Sequence, residues 1–497
     1  MLDYKIHKKL VFKLSAGTIL FLLPSLLAAW PGGLNILDNQ KLRLVSPDRN
    51  LVRIFNWARE TSLSFVGLDR DPVGPWYEAA LPKREAFCIR DVCHQCIIAA
   101  EILGLSRHNL NMFTRFVENI SEAKDYCSYW EINRYNQPAP VDYSSDQDFW
   151  YNLNANFDLI DACYKLYQWT GNKTYIEDKA FDKFFQLTLN QYVERWQLQP
   201  DKIMDRPALM NLKPGTIKYK FARGLPSYDE SQDDLTVSSD LLAMILNAFR
   251  TYSQILKLRG EEKLSGQYLK RAMQYEELLD KLWWDENSKT YFSFYKADKK
   301  VYHGGINGPL FLLWYQAVKN PDRIKSTLQE LLKAPVQIEG LSYLPVLFYR
   351  YGYHQEGYEF LTRIYTNERR LYPEASSGVI EGIVRGMMGV ESEASENRIT
   401  TCPRLLPGTR WALVENIPVF VGLITVRQEA NNQTTLINNS AKEFIWRVVF
   451  PGFSPEIKVE GKGLQAKQFS DILGNVFSYV EVKIKPKSQL TARGLAH

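Results

Sequence analysis

Cysteine, histidine and methionine are scarce in this chain of 497 residues, which has 6, 6 and 8 of them. With so few histidines, a metal site built from several of them is not expected. The sequence also has no GxxxxGK phosphate loop, no GxSxG nucleophile elbow and no HExxH metalloprotease helix. These absences exclude three common kinds of catalytic centre, and we predict neither a metal nor another cofactor.

The cysteines do not form a disulfide pattern. Three of them crowd into residues 88–96, and the other three are scattered. Cys93 and Cys96 have the spacing of zinc ligands or of a redox pair, but no second pair follows. Because their segment reads as a helix and free cysteine is commonly buried, we interpret them as small side chains facing the core.

Neither sign of charge dominates, since 61 basic residues stand against 56 acidic ones. The near balance gives no electrostatic basis for binding nucleic acid.

A long apolar run occurs only at the beginning of the chain. Lysines at positions 5, 8, 9 and 13 precede the segment LSAGTILFLLPSLLAA, which ends at Ala28-Ala29. This order is typical of a secretory signal peptide, and the run is shorter than the roughly 20 residues of a membrane span. We therefore expect residues 1–29 to be removed on export to the periplasm or the cell exterior, leaving no stable membrane span.

Helical periodicity recurs from about residue 49 to about residue 390. The predicted helices are 51–65, 91–103, 110–120, 154–170, 175–196, 238–258, 267–284, 308–318, 321–333, 341–351, 355–366 and 378–389. Long and short loops alternate between them, which favours six hairpins side by side around a bowl. A superhelical array would show self-similarity at a fixed period, and none is seen.

After Gly389 the pattern changes to short runs of alternating polarity, such as RWALVEN and FSYVEVKIKP. The predicted fold is therefore mainly α: an (α/α)6 toroid of helical hairpins over residues 30–395, followed by a small β-sandwich-like domain over residues 396–497.

Four segments combine acidic, basic and aromatic residues in the way that sugar-binding sites do. The first, residues 74–95, holds the candidate ligands Trp76, Tyr77, Arg84, Arg90 and Asp91. The Arg-Asp pair can grip neighbouring sugar hydroxyls through charge-assisted hydrogen bonds. The alternative is a salt bridge that stabilises the start of a helix.

The second segment, residues 127–160, contributes Trp130, Glu131 and Trp150. Pro138 and Pro140 prevent a regular element there, so the loop is hard to explain as core. Aromatic faces next to carboxylates again suit a sugar ring.

The third segment, residues 221–245, carries Tyr228, Asp229 and Glu230 after Gly224. Asp233, Asp234 and Ser238 or Ser239 stand where helix caps are expected. Asp229 and Glu230 lie farther out in the loop, so either of them is a candidate proton donor.

The fourth segment, residues 367–389, places Tyr372 and Glu374 before a helix that also carries Glu381. Glu374 is a candidate general base or a helix cap. His303 is a further candidate for binding, because the surrounding YHGGIN reads as an exposed loop. Two carboxyl groups, one protonated and the other ionised, are what glycoside cleavage requires.

On these motifs the chain resembles the six-hairpin, (α/α)6-toroid glycosidases, a superfamily that includes glucoamylases, trehalases, processing glucosidases and α-L-rhamnosidases. The likeness covers about residues 49–425. The resemblance implies that Arg90 and Asp91 of IRDV hold the terminal sugar, that SYDES around Asp229 supplies the proton donor, and that YPE supplies the base at Glu374.

The favoured function is hydrolysis at the non-reducing end of an oligosaccharide or polysaccharide. A polysaccharide lyase on the same fold is the alternative, and it would use cations and a proton acceptor drawn from Arg84, Arg90, Arg134, Arg370, Tyr228, Tyr372 and His303. A glycan-binding protein without activity is a third possibility. The expected partner is a carbohydrate, and the sequence leaves the oligomeric state open.

Overall fold

The computed structural model of the chain describes residues 41–93, 97–207, 223–231 and 234–494. The predicted signal peptide lies outside these ranges, as do Cys96 and Asp233. Within them, no helix is both long and apolar enough to cross a bilayer.

Helices make up most of the described residues before residue 390. Those of six or more residues are Arg49–Ser64, Ile97–Ile102, Ser106–Glu118, Asn154–Thr170, Lys179–Leu187, Ser239–Leu258, Glu262–Leu282, Asn307–Trp314, Pro321–Lys333, Leu344–Arg350, His354–Thr366 and Pro373–Glu381, with π-helical turns at Thr188–Tyr192 and Gly382–Met387. Shorter helices are Ile89–Asp91, Thr174–Glu177, Val193–Arg195 and Ile338–Leu341, with 3-10 turns at Glu122–Lys124 and Ala394–Glu396.

Six of the long helices are mostly buried and pack in a closed order. They are Ile97–Ile102, Asn154–Thr170, Ser239–Leu258, Asn307–Trp314, Leu344–Arg350 and Pro373–Glu381, and the last packs against the first. Between the fourth and the fifth, Arg350 Nη1 and Tyr351 Oη donate to the carbonyl oxygens of Trp314 and Leu313, each at 3.0 Å.

The other six long helices each lie against a member of this buried set and bury one face only. Helix Pro321–Lys333 shows why the sequence forms them. Asn320 caps the helix by accepting from the amides of Asp322 and Arg323, and a proline opens it. Ile324, Leu328 and Leu331 then recur every three or four residues on the buried face.

Two larger sheets follow the helices. The seven-stranded sheet has the order Arg43–Val45, Trp411–Val419, Gly422–Glu429, Gln433–Asn438, Ser488–Arg493, Glu456–Val459 and Lys462–Gln465, and all of its pairings are antiparallel. The five-stranded sheet has the order Glu391–Glu393, Arg398–Thr401, Phe444–Pro451, Val476–Ile484 and Lys467–Ser470.

The β-rich part is not confined to residues 396–497. Strand Arg43–Val45 pairs with Trp411–Val419, although it lies within residues 30–395, which the sequence assigns to the toroid. Strand Glu391–Glu393 likewise precedes the predicted boundary. Hydrogen bonds also join the two parts, since Trp169 Nε1 donates to Pro418 O at 2.9 Å and Gln428 Nε2 to Met388 O at 2.8 Å.

Short strands connect the helices at one end. Ala86–Cys88 pairs with Glu131–Asn133, Tyr151–Asn152 with Arg223–Leu225, and Leu235–Ser238 with Phe294–Lys296, which in turn pairs with Val301–Tyr302. The remaining pairs are Tyr143–Ser145 with Asp148–Phe149 and Trp284–Asp285 with Thr290–Tyr291. The first two of these pairings bring the first three predicted segments together.

Candidate active site

A cleft of about 750 Å³ lies among the loops that these short strands hold together. We call it the central cleft. Its lining includes Arg84, Arg90, Asp91, Trp130, Glu131, Asp142, Trp150, Tyr228, Asp229, Glu230, Asn307, Phe311, Glu339, Tyr343 and Tyr372. Each of the first three predicted segments therefore contributes at least two residues to the lining of the cleft. The fourth segment contributes Tyr372.

Strand pairing explains how the first two segments meet. Cys88 stands opposite Glu131 in an antiparallel pair, and the amide of Ile89 donates to Trp130 O at 2.9 Å. The chain then turns into the short helix Ile89–Asp91. Arg90 consequently lies over the indole of Trp130.

Arg90 is the centre of the cleft's polar contacts. Its Nε donates to Asp91 Oδ1 at 2.8 Å, and its Nη1 lies 3.7 Å from Glu230 Oε1. The guanidinium also stacks over the rings of Trp130 and Tyr228, at 5.6 and 5.5 Å from their centroids. Contacts on several sides fix the orientation of this cation.

Buried acids beneath the third segment hold its loop in place. Asp240 accepts from the amide of Tyr228 at 2.9 Å and from Ser227 Oγ at 3.0 Å. Asp158 accepts from the hydroxyls of Tyr228 and Tyr315, each at 2.5 Å. Burial raises the pKa of Asp240 to about 6. Tyr228 is thus fixed at both its backbone and its hydroxyl.

Asp229 has one oxygen engaged in its own loop. Oδ1 accepts from the amide and the hydroxyl of Ser231, at 3.1 and 2.6 Å. Oδ2 faces Gly305, where a Cβ would come within 2.4 Å of it. Gly305 also has φ +63°. Both this left-handed backbone and the lack of space beside the Asp229 carboxylate favour glycine at this position.

Glu374 lies in the first turn of the last helix of the buried set, Pro373–Glu381, and has no exposed surface. Neither of its carboxyl oxygens accepts a hydrogen bond of ordinary geometry from the described residues. Burial raises the pKa of Glu374 well above its usual value, and the neighbouring charge of Asp91 raises it further. Glu374 does not itself line the cleft, but it adjoins Asp91, which does.

A second pair of carboxyl groups lies at Glu131 and Asp142. Arg84 Nη1 donates to Glu131 Oε1 at 2.5 Å and to Asp142 Oδ2 at 3.2 Å. Glu131 Oε2 is buried without a hydrogen-bond partner among the described residues. Burial, followed by the charge of Asp142, raises the pKa of Glu131 to about 8. Glu131 therefore takes up a proton at a higher pH than an exposed glutamate does.

Three predicted binding residues lie outside the cleft. Trp76 and Tyr77 are buried, and they donate to Asp71 Oδ2 at 2.7 Å and to Asn109 Oδ1 at 2.6 Å. His303 Nε2 lies 3.1 Å from Asp285, in a different loop. Hydrogen-bond partners elsewhere hold these three side chains away from the cleft.

The alternative base and several predicted cations also lie elsewhere. Glu381 pairs with Arg385 at 2.5 Å, and Arg385 also binds Glu391. Arg134 pairs with Asp71 and Glu85, and Arg370 donates to Tyr365 O. None of these residues lines the cleft.

Sequence reasoning missed Asp142, Glu339 and Tyr343 as cleft residues. Asp142 lies in the proline-containing loop of the second predicted segment, and its place in this loop is the signal that could have identified it. Glu339 lies within the short helix Ile338–Leu341, and Tyr343 lies just after it. The sequence around these two residues does not indicate a sugar-binding site.

The chain is similar to several solved structures. The α-L-rhamnosidase from Dictyoglumus thermophilum has a TM-score of 0.60 and 15% identity, covering 92% of this chain and 50% of that one. A GH78 family rhamnosidase of Bacillus sp. GL1 has a TM-score of 0.56 and 12% identity, covering 80% and 40%. A putative kojibiose phosphorylase from the human microbiome has a TM-score of 0.54 and 10% identity, covering 90% and 63%.

No protein-family model and no curated protein matches the sequence. The chain spans half or less of the length of the two rhamnosidase chains. At these identities the likeness concerns the fold. The chain therefore shares its fold with these rhamnosidases and with the phosphorylase.

Proposed function

We propose that this chain is a glycoside hydrolase with an (α/α)6 toroid, and that it cleaves sugar units from the non-reducing end of an oligosaccharide or polysaccharide. The closed order of six buried helices, each with an outer partner, supports the toroid. The likeness to rhamnosidase structures supports the class of enzyme by analogy of fold.

The proposal rests on acidic residues from three of the predicted segments, which lie at or near Arg90. Asp91 and Glu230 both contact this arginine, and Glu374 adjoins Asp91. Trp130 and Tyr228 supply aromatic faces at the same place. Acids that flank aromatic faces in a cleft suit the binding and cleavage of a sugar.

In the proposed mechanism, Asp229 or Glu230 gives a proton to the glycosidic oxygen as the bond from this oxygen to the anomeric carbon breaks. Glu374, once ionised, takes a proton from the water that attacks the anomeric carbon, so that one water is consumed for each bond cleaved. Arg90 and Asp91 hold the hydroxyls of the terminal sugar.

Glu131 is a further candidate source of a proton because burial raises its pKa. We prefer Asp229 or Glu230 as the donor, since the Glu230 side chain is 28% exposed and that of Glu131 only 4%. A carboxyl group that is open to the cleft reaches a glycosidic oxygen without rearrangement.

The charges of the cleft weigh against the lyase alternative. Among the described lining residues, six are acidic and two are arginines. Both arginines already contact carboxylates, at Glu131 and Asp142 for Arg84 and at Asp91 and Glu230 for Arg90. A uronate carboxylate entering this cleft would meet repulsion from the acids.

The experiment that tests the proposal compares wild type with D229N, E230Q and E374Q on a panel of oligosaccharides. We expect loss of the release of reducing ends in E374Q and in one of the other two variants, with unchanged thermal stability at about pH 4, where Glu374 is protonated in the folded and the unfolded chain. Equal activity in all four proteins would reject these roles. A wild type that binds a glycan but cleaves none would favour the binding protein without activity.

A further inference from the structure

A second recess lies on the outer surface, between helices Arg49–Ser64 and His354–Thr366. It has a volume of about 530 Å³, and its lining includes Arg49, Arg53, Asn56, Trp57, Glu60 and Tyr365. We call it the Trp57 groove. Arg49, Arg53 and Trp57 follow one another at intervals of four residues, so they share one face of their helix.

Two aromatic rings form one wall of the groove. Trp57 and Tyr365 meet edge to face, with 5.5 Å between their centroids. Arg53 lies over the Tyr365 ring at 5.6 Å, and Arg370 lies over the same ring at 4.9 Å. Both rings are half-buried and keep part of their surface accessible.

The positive charges around these rings are not neutralised within the described part of the chain. There, none of Arg49, Arg53 and Arg370 forms an ion pair with a carboxylate. Arg53 donates to Asn50 Oδ1 at 2.8 Å and Arg370 to Tyr365 O at 2.7 Å, both uncharged acceptors. The one acidic lining residue, Glu60, lies 3.7 Å from Arg59 instead.

We propose that the Trp57 groove is a second glycan site, which binds an acidic oligosaccharide bearing carboxylate or sulfate groups. The exposed Arg49 and Arg53 stand about one helical turn apart, roughly 6 Å, so they can engage successive anionic groups on an extended chain. The faces of Trp57 and Tyr365 offer stacking surface for the sugar rings.

The composition of the lining favours a sugar over a lipid surface. Val52 is the only aliphatic side chain among the described lining residues. Insertion into a bilayer needs a wider apolar face than this. An acidic saccharide uses both features that are present, the arginines and the flat rings.

The inference goes beyond the proposed hydrolysis, because the groove and the central cleft share no lining residue and differ in the sign of their charge. The cleft is rich in carboxylates and suits a neutral sugar, whereas the groove suits an acidic one. Residues 367–372 connect the two: Arg370 stacks on Tyr365, and Arg369 pairs with Glu339 of the cleft at 2.7 Å.

Calorimetric titration of the full chain tests the proposal. The probes are a galacturonate hexamer for carboxylates, a heparin-derived hexasaccharide for sulfates and maltohexaose as a neutral control. We expect one or both acidic probes to bind, and the R49E/R53E variant to bind at least about tenfold more weakly. Raising the salt concentration should weaken the wild-type interaction.

Arg363 provides a matched control, since it is exposed on helix His354–Thr366 and stacks on Phe360, outside the groove. R363E should bind like wild type, and R49E/R53E should still cleave any short substrate at the wild-type rate. If R49E/R53E does not fold, R49A replaces it, because Arg49 is exposed at the first position of its helix.

Three results would overturn the proposal. The first is equal affinity of the wild type for acidic and neutral probes. The second is an R49E/R53E variant that binds the acidic probes like wild type. The third is a wild type that binds phosphatidylserine vesicles but neither acidic probe. Whether the central cleft hydrolyses glycans is measured separately, so either proposal can fail alone.

Discussion

Arg90 and Glu230 meet in the central cleft, with 3.7 Å between a guanidinium nitrogen and a carboxylate oxygen. Arg90 lies on a short helix near the beginning of the helical part, and Glu230 on the loop before helix Ser239–Leu258. The ion pair is partly exposed, so it contributes little to stability. We attribute the importance of the ion pair to the way it orients the Arg90 guanidinium, which also binds Asp91 and stacks on two rings.

Arg90→Lys should lower kcat/KM by about 10- to 100-fold on any glycan that the wild type cleaves, because an ammonium cannot reproduce the planar stacking and the directed Nε bond. Steady-state kinetics check this. Arg134→Lys is the matched control, since Arg134 pairs with Asp71 and Glu85 outside the cleft. Equal losses in both variants would contradict the role of Arg90.

Gly305→Ala should displace Asp229, whose Oδ2 occupies the space of the added methyl group, and should abolish most of the activity if Asp229 rather than Glu230 is the proton donor. Gly461→Ala is the control, because Gly461 has φ +78° but no atom within 4 Å of the added Cβ. Both variants should lose about 1–2 kcal/mol of stability from the left-handed backbone. Only Gly305→Ala should lose kcat, and retention of full kcat would remove Asp229 from the mechanism.

The pH dependence of activity tests the role of Glu374. A general base works only when ionised, and the pKa of Glu374 is raised by burial and by Asp91. Activity should therefore fall as the pH drops through a midpoint above the usual glutamate range. A profile of kcat/KM against pH checks this. Activity that falls as the pH rises through this midpoint would make Glu374 the proton donor.

The same pKa shift predicts how stability depends on pH. Above about pH 4.5 the unfolded chain ionises Glu374 while the folded chain keeps it protonated, so the wild type loses stability relative to Glu374→Gln as the pH rises. The difference in Tm between the two proteins should grow in favour of the variant from about pH 4 to about pH 7. A constant difference would show that the folded-state pKa is not raised.

Glu131 should titrate with an apparent pKa of about 8, because burial and Asp142 disfavour its charged form. Carbon-13 NMR of the glutamate carboxyl groups, compared with Glu131→Gln, would identify its signal. Asp142→Asn should lower the midpoint by removing the neighbouring charge. A wild-type midpoint near the ordinary value for glutamate would contradict the geometry of this pair.

Local sequence signals predicted the helices well where a recognisable cap marks one end, as Asn320 does for Pro321–Lys333 and Gly171 does for Asn154–Thr170. Asn154–Thr170 and Pro321–Lys333 have the predicted bounds. The single helix predicted over 175–196 is instead interrupted at Asp178, which has an extended backbone and whose side-chain carboxylate caps a new helix by accepting from the amide of Ala180. The aspartate was a usable signal for this break.

Contacts between distant parts of the chain could not be predicted in the same way. Strand Arg43–Val45 is three residues long and acquires its conformation by pairing with Trp411–Val419. Trp76 resembled a sugar-stacking residue by its neighbours in sequence, but the hydrogen bond to Asp71 places it in the core. Arg90 reaches the cleft because strand pairing brings it next to Trp130.

The central claim is that the central cleft hydrolyses glycosidic bonds. Its most direct test is incubation of the purified chain with a broad panel of oligosaccharides, reading the new reducing ends and the ultraviolet absorbance of unsaturated uronates together, beside the Glu374→Gln variant. We predict new reducing ends without that absorbance for the wild type and neither signal for the variant. Absorbance from an unsaturated product, or equal release of sugar by the variant, would contradict the account.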